Sequence, residues 1–195
     1  MIDGALLTNF QAQLDNLKQV VAESSARSIQ DPPDALFYEH QNVFIKSYLV
    51  SACSMLEAFI QDLATAYVEE IEARIAAANL PHNLVVWHVE HEKGKLQFKP
   101  FAATKGKKEI AEMISPNYWK TIKAFETVGI DLSASNVITF KDLIVSKVEK
   151  RNKIVHHNDE ALDLSFSDIS DTIEKFREYM DCLFTAVCAD PHIQP

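Results

Sequence analysis

Tyr48-Leu49-Val50-Ser51-Ala52-Cys53-Ser54-Met55-Leu56-Glu57-Ala58-Phe59 lies inside a stretch, residues 35–78, that contains neither glycine nor proline. Its apolar residues recur at steps of three and four, the period of a helix face rather than of a strand. Val50, Cys53, Ile60, Ala64, Val68 and Ile71 make one stripe, and Leu49, Ala52, Leu56, Phe59, Leu63 and Tyr67 make an adjoining one. A helix that is apolar over so much of its circumference needs several other helices around it. The stretch predicts one long helix, or two joined by a kink, at the centre of an all-α bundle.

The flanking sequence supplies those helices. Leu6, Leu7, Phe10, Leu14, Leu17, Val20 and Val21 predict an amphipathic helix over residues 3–28, stopped by Asp31-Pro32-Pro33-Asp34, with Asp34 able to cap the next helix. Pro81 is expected to close the long helix. Leu84-Val85-Val86-Trp87-His88-Val89 is β-prone, and Glu92-Lys93-Gly94-Lys95 has turn composition ahead of Leu96-Gln97-Phe98, so a short β-hairpin is expected there. Residues 100–108 read as a mobile loop. A helix or helix pair follows over 108–128, interrupted near Pro116, then helices over 139–157 and 167–189, the last preceded by Ser165 and Asp168 at capping-box spacing. The expected architecture is a single domain spanning residues 1–195, a bundle of about five helices with a hairpin or loop insertion at about 81–107.

Composition narrows the class. Four glycines in 195 residues leave few positions for the turns that sheets require. Cys53, Cys182 and Cys188 are odd in number and lack any paired-motif spacing, which points to reduced, buried thiols in a cytoplasmic protein. The N-terminal residues carry no basic region followed by an apolar block, and no run of about 18 uninterrupted apolar residues occurs, so neither a signal peptide nor a membrane span is expected. The net charge of −9 argues against a general nucleic-acid coat, but residues 93–153 hold 13 of the 19 lysines and arginines against six acids, a local +7 that leaves −16 on the rest. A basic segment within an acidic chain can concentrate a polyanion locally; a solvated lysine-rich surface is the plain alternative.

Glu57 interrupts the apolar surface of the long helix, and an unpaired buried carboxylate either costs several kcal/mol or takes up a proton. A partner is available in Arg151-Asn152-Lys153-Ile154-Val155-His156, near the end of the 139–157 helix. At about 100° per residue, Ile144, Val145, Val148 and Val155 share a stripe with Asn152 near its middle. His156 then falls about 40° to one side and Arg151 about 100° to the other. A guanidinium can hold a carboxylate through two parallel hydrogen bonds, so Arg151 is the natural partner of Glu57. Alone, such a pair can simply fix packing register.

The Arg-Asn-x-x-x-His helix, preceded by the Tyr48–Phe59 helix, resembles the HEPN domains of bacterial and archaeal defence and toxin systems, most closely the RiboL-PSP-type or MAE_28990-type branches. The resemblance covers residues 40–75 and 138–188. It implies a ribonuclease that works without a metal or other cofactor, with Arg151 binding the scissile phosphate, His156 moving protons, Asn152 orienting one or both, and Glu57 holding Arg151. It also implies a homodimer that brings two such motifs together, and a possible antitoxin or defence-system partner. Some members carry a tyrosine two residues after the histidine that a partner nucleotidyltransferase modifies; Asn158 stands there in this chain. Other members have lost catalysis and serve as scaffolds, which is the alternative reading.

The chemistry accords with that resemblance. RNA carries its own nucleophile, the 2′-hydroxyl, and needs only a base, an acid and a charge-stabiliser near the phosphate. The sequence offers no donor set for a metal cage that would activate water for DNA hydrolysis. Lys105, Lys107 and Lys108, with Lys147, Lys150 and Lys153 on the motif helix, are the candidate RNA-binding cations. His88-x-x-His91 is discounted as a metal site because no further donor completes it. Cys182 and Cys188 are discounted as nucleophiles because no base accompanies them. Trp87, Trp119 and Phe98 could stack on bases, although such aromatics more often pack in cores or interfaces.

Overall fold

The computed structural model describes residues 2–90, 96–102, 107–133 and 135–194, and the regular elements among these are all helices. The chain runs α1 (Ala5–Ile29), α2 (Ala35–Glu39), α3 (Gln41–Ala78), α4 (His82–Glu90), α5 (Lys107–Met113), α6 (Tyr118–Thr127), α7 (Lys141–His157) and α8 (Phe166–Cys188), with a 3₁₀ turn, Asn136–Phe140, leading into α7. The predicted kink is at His40: Asp34 accepts from the Leu36 amide to start α2, and the 38-residue α3 starts anew after His40. The Ser165–Asp168 capping box is present, each side chain satisfying the other residue's backbone N–H.

The three longest helices, α1, α3 and α8, pack on one another, and α7 lies against α3. Leu14 and Val21 of α1, Leu49, Leu56, Phe59 and Leu63 of α3, and Ile169, Phe176 and Leu183 of α8 are fully buried where these helices meet. Each such side chain contributes about 1.5–3 kcal/mol by leaving water. Phe10 meets Phe59 edge-on at 5.7 Å between centroids. Arg177 reaches Asp15 at 3.3 Å across the rim between α8 and α1. By length and hydropathy α3 would also suffice to cross a membrane; here it is the central helix of the bundle.

Two expectations change. The long helix ends three residues before Pro81, where Asn79 adopts a left-handed conformation (φ 49°) that an asparagine tolerates. The expected first strand of the hairpin, Leu84–Val89, is instead part of α4. β-propensity expresses packing against a partner strand, and Leu96–Phe98 does not pair with it: the only bridge among the described residues joins Pro81 to Pro100. The segment closes at its base, where the Phe101 amide donates to Leu80 O at 2.7 Å and the His82 amide to Lys99 O at 3.2 Å. Pro81 stands just before the first turn of α4, where its missing N–H is no loss, and its carbonyl accepts from the Leu84 and Val85 amides to start the helix. The expected turn at 92–95 lies outside the described residues.

Candidate functional site

The site forms where the C-terminal half of α7 crosses α3. The two helices run antiparallel there: Arg151 faces Glu57, while Asn158, just past α7, accepts a hydrogen bond at 3.2 Å from Lys46, three turns earlier on α3. Arg151 Nη2 lies 3.6 Å from Glu57 Oε2, an ion pair through one nitrogen instead of the two-bond fork expected. The pair is half-buried, with side chains 22% and 30% exposed. Arg151 Nη1 donates to Asn152 Oδ1 at 3.1 Å, and Arg151 Nε is buried without a partner among the described residues. The guanidinium is therefore held from two sides, by its own helix and by α3.

Arg151, not Asn152, occupies the middle of the buried stripe. Ile144, Val148 and Ile154 are the buried residues of α7, whereas Val155 is 49% exposed. Beyond Arg151 the helix outruns the core, and its last turn is covered on one side only. Asn152 is half-buried, and His156 and His157 are exposed. His156 has no hydrogen bond to another described residue, so its imidazole is open to whatever approaches the end of α7.

Below the pair lies Cys53, fully buried in α3. Burial pushes its thiol up to about 12, the Arg151 charge pulls against this and Glu57 adds to it. The thiol stays protonated at neutral pH. All three cysteines are free, and Cys182 and Cys188 are half-buried instead of fully buried.

The turn after His156 is fastened down. Asn158 takes up the left-handed conformation (φ 50°) that ends α7. Lys46 also lies 3.9 Å from Glu160, to which Asn42 donates at 2.5 Å. Lys150 binds Asp159 and Asp163 (2.5 Å to the latter). These bonds raise the Lys150 pKa and lower those of both aspartates. Asn42 and Lys46 were not among the expected site residues; the one local signal is an asparagine placed to leave a helix.

The candidate RNA-binding lysines of the motif helix share a pocket of their own. Lys147, Lys150 and Lys153 line a shallow pocket of about 300 Å³ with Ser146, Glu149 and Asp163, and Lys150 is already bound there to two carboxylates. Lys107 and Lys108 open α5, and Lys105 lies outside the described residues. His88 is in α4, and its expected companion His91 is also outside them. Among the described residues no group of three His, Cys, Asp or Glu side chains converges in a way that could hold a metal ion.

Comparison with curated proteins and with solved structures returned no match. The family model described as RiboL-PSP-HEPN matches residues 15–189, a span that takes in α3, the Arg151–His156 motif and the whole of α8. The helical bundle, with its arginine-bearing helix seated on a central helix that carries a glutamate, is thus a HEPN domain, and the chain belongs to the RiboL-PSP-HEPN family.

Proposed function

We propose that the protein is a metal-independent endoribonuclease acting as a toxin or antiphage defence effector in the cytoplasm. The observation that carries this reading is the Arg151–Glu57–Asn152 cluster with an exposed His156 one helical turn beyond Asn152 on α7: a fixed cation and a free imidazole flanking the same amide. The guanidinium edge left open by Glu57 and Asn152 would take a phosphate oxygen and stabilise the charge that develops there. The RNA 2′-oxygen would form a bond to phosphorus as its proton passes to a base. The bond from phosphorus to the 5′-oxygen would break as that oxygen takes a proton from an acid, leaving a 2′,3′-cyclic phosphate and a 5′-hydroxyl.

The motif places one imidazole, that of His156, next to Asn152, while the reaction needs two proton transfers, so a homodimer is part of the proposal, a second copy supplying another His156 in the complementary protonation state. Val43 near the start of α3 and Val155 beside His156 are both about half exposed, at 58% and 49%. They give the end of α7 an apolar margin on which a second copy could close. An antitoxin or other defence subunit would bind the same end to silence it.

The test is incubation of purified protein with total RNA in EDTA, wild type against His156→Ala. Cleavage by wild type alone, ending in cyclic phosphates, supports the reading. Equal cleavage by both proteins identifies a contaminating nuclease. No cleavage by either leaves a scaffold that lacks catalysis.

A further inference from the structure

Lys141, Lys147 and Lys150 of α7 divide between two flanks of the helix, with Lys153 between them on the solvent face. With Ile144 marking the buried stripe, Lys147 and Lys150 fall about 60° and 120° to one side, and Asn152 and His156 about 80° and 120° to the other. A strand lying along the His156 flank therefore cannot use Lys147 or Lys150 without crossing the helix. The cation that shares its flank is Lys141, at about 60°, in the first turn of α7.

Lys141 does not stand alone. Its ammonium lies 4.7 Å from the centroid of the Trp119 ring, and that ring is 56% exposed. Tyr118 beside it is buried and meets Trp119 edge-on, with centroids 5.3 Å apart and planes at 82°. Asn117 caps the start of α6 by accepting from the Trp119 and Lys120 amides. An anchored neighbour and a capped backbone thus hold an indole out toward solvent, where the burial of 150–250 Å² typical of an aromatic is not realised. Exposed Lys120 adjoins it in sequence.

We propose that Trp119 and Lys141 form a binding subsite for single-stranded RNA, the indole stacking on one base and the ammonium meeting its phosphate. The subsite lies about 22 Å along α7 from His156, on the order of six nucleotides at stacked spacing. This inference rests on the ribonuclease reading. Stacking suits an RNA of any sequence, since every base has a π-face, and a cation beside the ring adds to it. Asp142 and Glu149 edge the same flank at about 160° and 140°, and their charges would keep a phosphate backbone on the Lys141 side.

The test uses the full chain carrying Trp87→Phe, which leaves Trp119 as the only indole, and His156→Ala, which prevents cleavage. A 12-nucleotide RNA of mixed adenosine and uridine should quench Trp119 emission. Adding Trp119→Ala should weaken binding of the fluorescein-labelled RNA by about 5- to 150-fold, the range for one stacked base, and Trp119→Phe should recover most of it. Unquenched emission, or equal binding of the 12-mer by the parent and the alanine variant, overturns the subsite and leaves the ribonuclease reading intact. A fall in molecular mass by light scattering in Trp119→Ala also overturns it, making Trp119 a contact between copies. Failure of the parent to bind any RNA removes both.

Discussion

Arg151 Nη2 stands 3.6 Å from Glu57 Oε2 where α7 crosses α3, and Arg151 Nη1 stands 3.1 Å from Asn152 Oδ1. One guanidinium is thereby oriented by two helices at once. Its direction is a property of how α7 seats on α3, so residues that secure that seating bear on the site without touching a substrate.

Arg151→Ala should destabilise the fold by about 1–3 kcal/mol, less than for a fully buried pair because both side chains keep some contact with water. Glu57→Ala should cost a similar amount. The double variant should be less destabilised than the two single losses combined, as partners are coupled. Urea unfolding of the four proteins measures this. Strict additivity would mean that the two charges do not interact.

His156→Ala should leave stability within about 0.5 kcal/mol of wild type, since the side chain is exposed and has no hydrogen bond to a described residue. RNA cleavage should nevertheless fall by about 10²–10⁴-fold, the usual contribution of a positioned proton-transfer group. The contrast with Arg151→Ala, which should lose both activity and stability, separates chemistry from architecture. A large drop in melting temperature for His156→Ala would assign the imidazole a structural role.

Much of this arrangement is legible in local pattern. The starts of α2 and α8 follow from Asp34 and from Ser165 with Asp168, because a cap involves neighbours within three residues. Glu57 is identifiable because it interrupts an apolar stripe, and Arg151 as the guanidinium able to pair with it, although the wheel sets Arg151 about 100° from the stripe in whose middle it sits. The stripe of α7 departs from its helical wheel near the end: a wheel assumes uniform cover along the axis, whereas the core stops short of Val155 and still shields Ile154, 8% exposed. The Leu84–Val89 run shows the limit of β-propensity where no strand among the described residues is there to pair with. Lys46 and Asn158 are 112 residues apart, and nothing near either one announces the other.

The Lys150–Asp159–Asp163 clamp should make stability fall in acid. Hydrogen bonds from Lys150 hold both aspartates below the ordinary carboxylate range. Carboxylates depressed in the folded state stabilise it above their unfolded pKa of about 3.9, and the contribution is lost as pH falls through the lower folded values. Lys150, raised above its ordinary value, loses its contribution only as pH climbs past that raised value. Lys150→Met should therefore flatten the decline in melting temperature below about pH 4 and leave the neutral-pH curve nearly parallel to wild type. An unchanged acid limb in the variant would show that the clamp carries none of it.

The basic segment before α6 should bind RNA by charge. Lys105, Lys107 and Lys108 are three cations in four residues, whereas Lys150 of the motif helix is already bound to two carboxylates. Neutralising all three to glutamine should weaken RNA binding and flatten its dependence on salt, because each phosphate contact removed is a counterion no longer released. For single-stranded RNA the slope of log Kd against log salt should fall by about 0.7 per contact, so by about 2 if all three engage. Turnover at saturating RNA should change little, because none of the three belongs to the Arg151–His156 motif. A triple variant with an unchanged slope would mean that the strand avoids this segment. Lys141→Gln would then be the comparison to make, since a slope reduced by about 0.7 in that variant alone would trace the RNA along the His156 flank of α7.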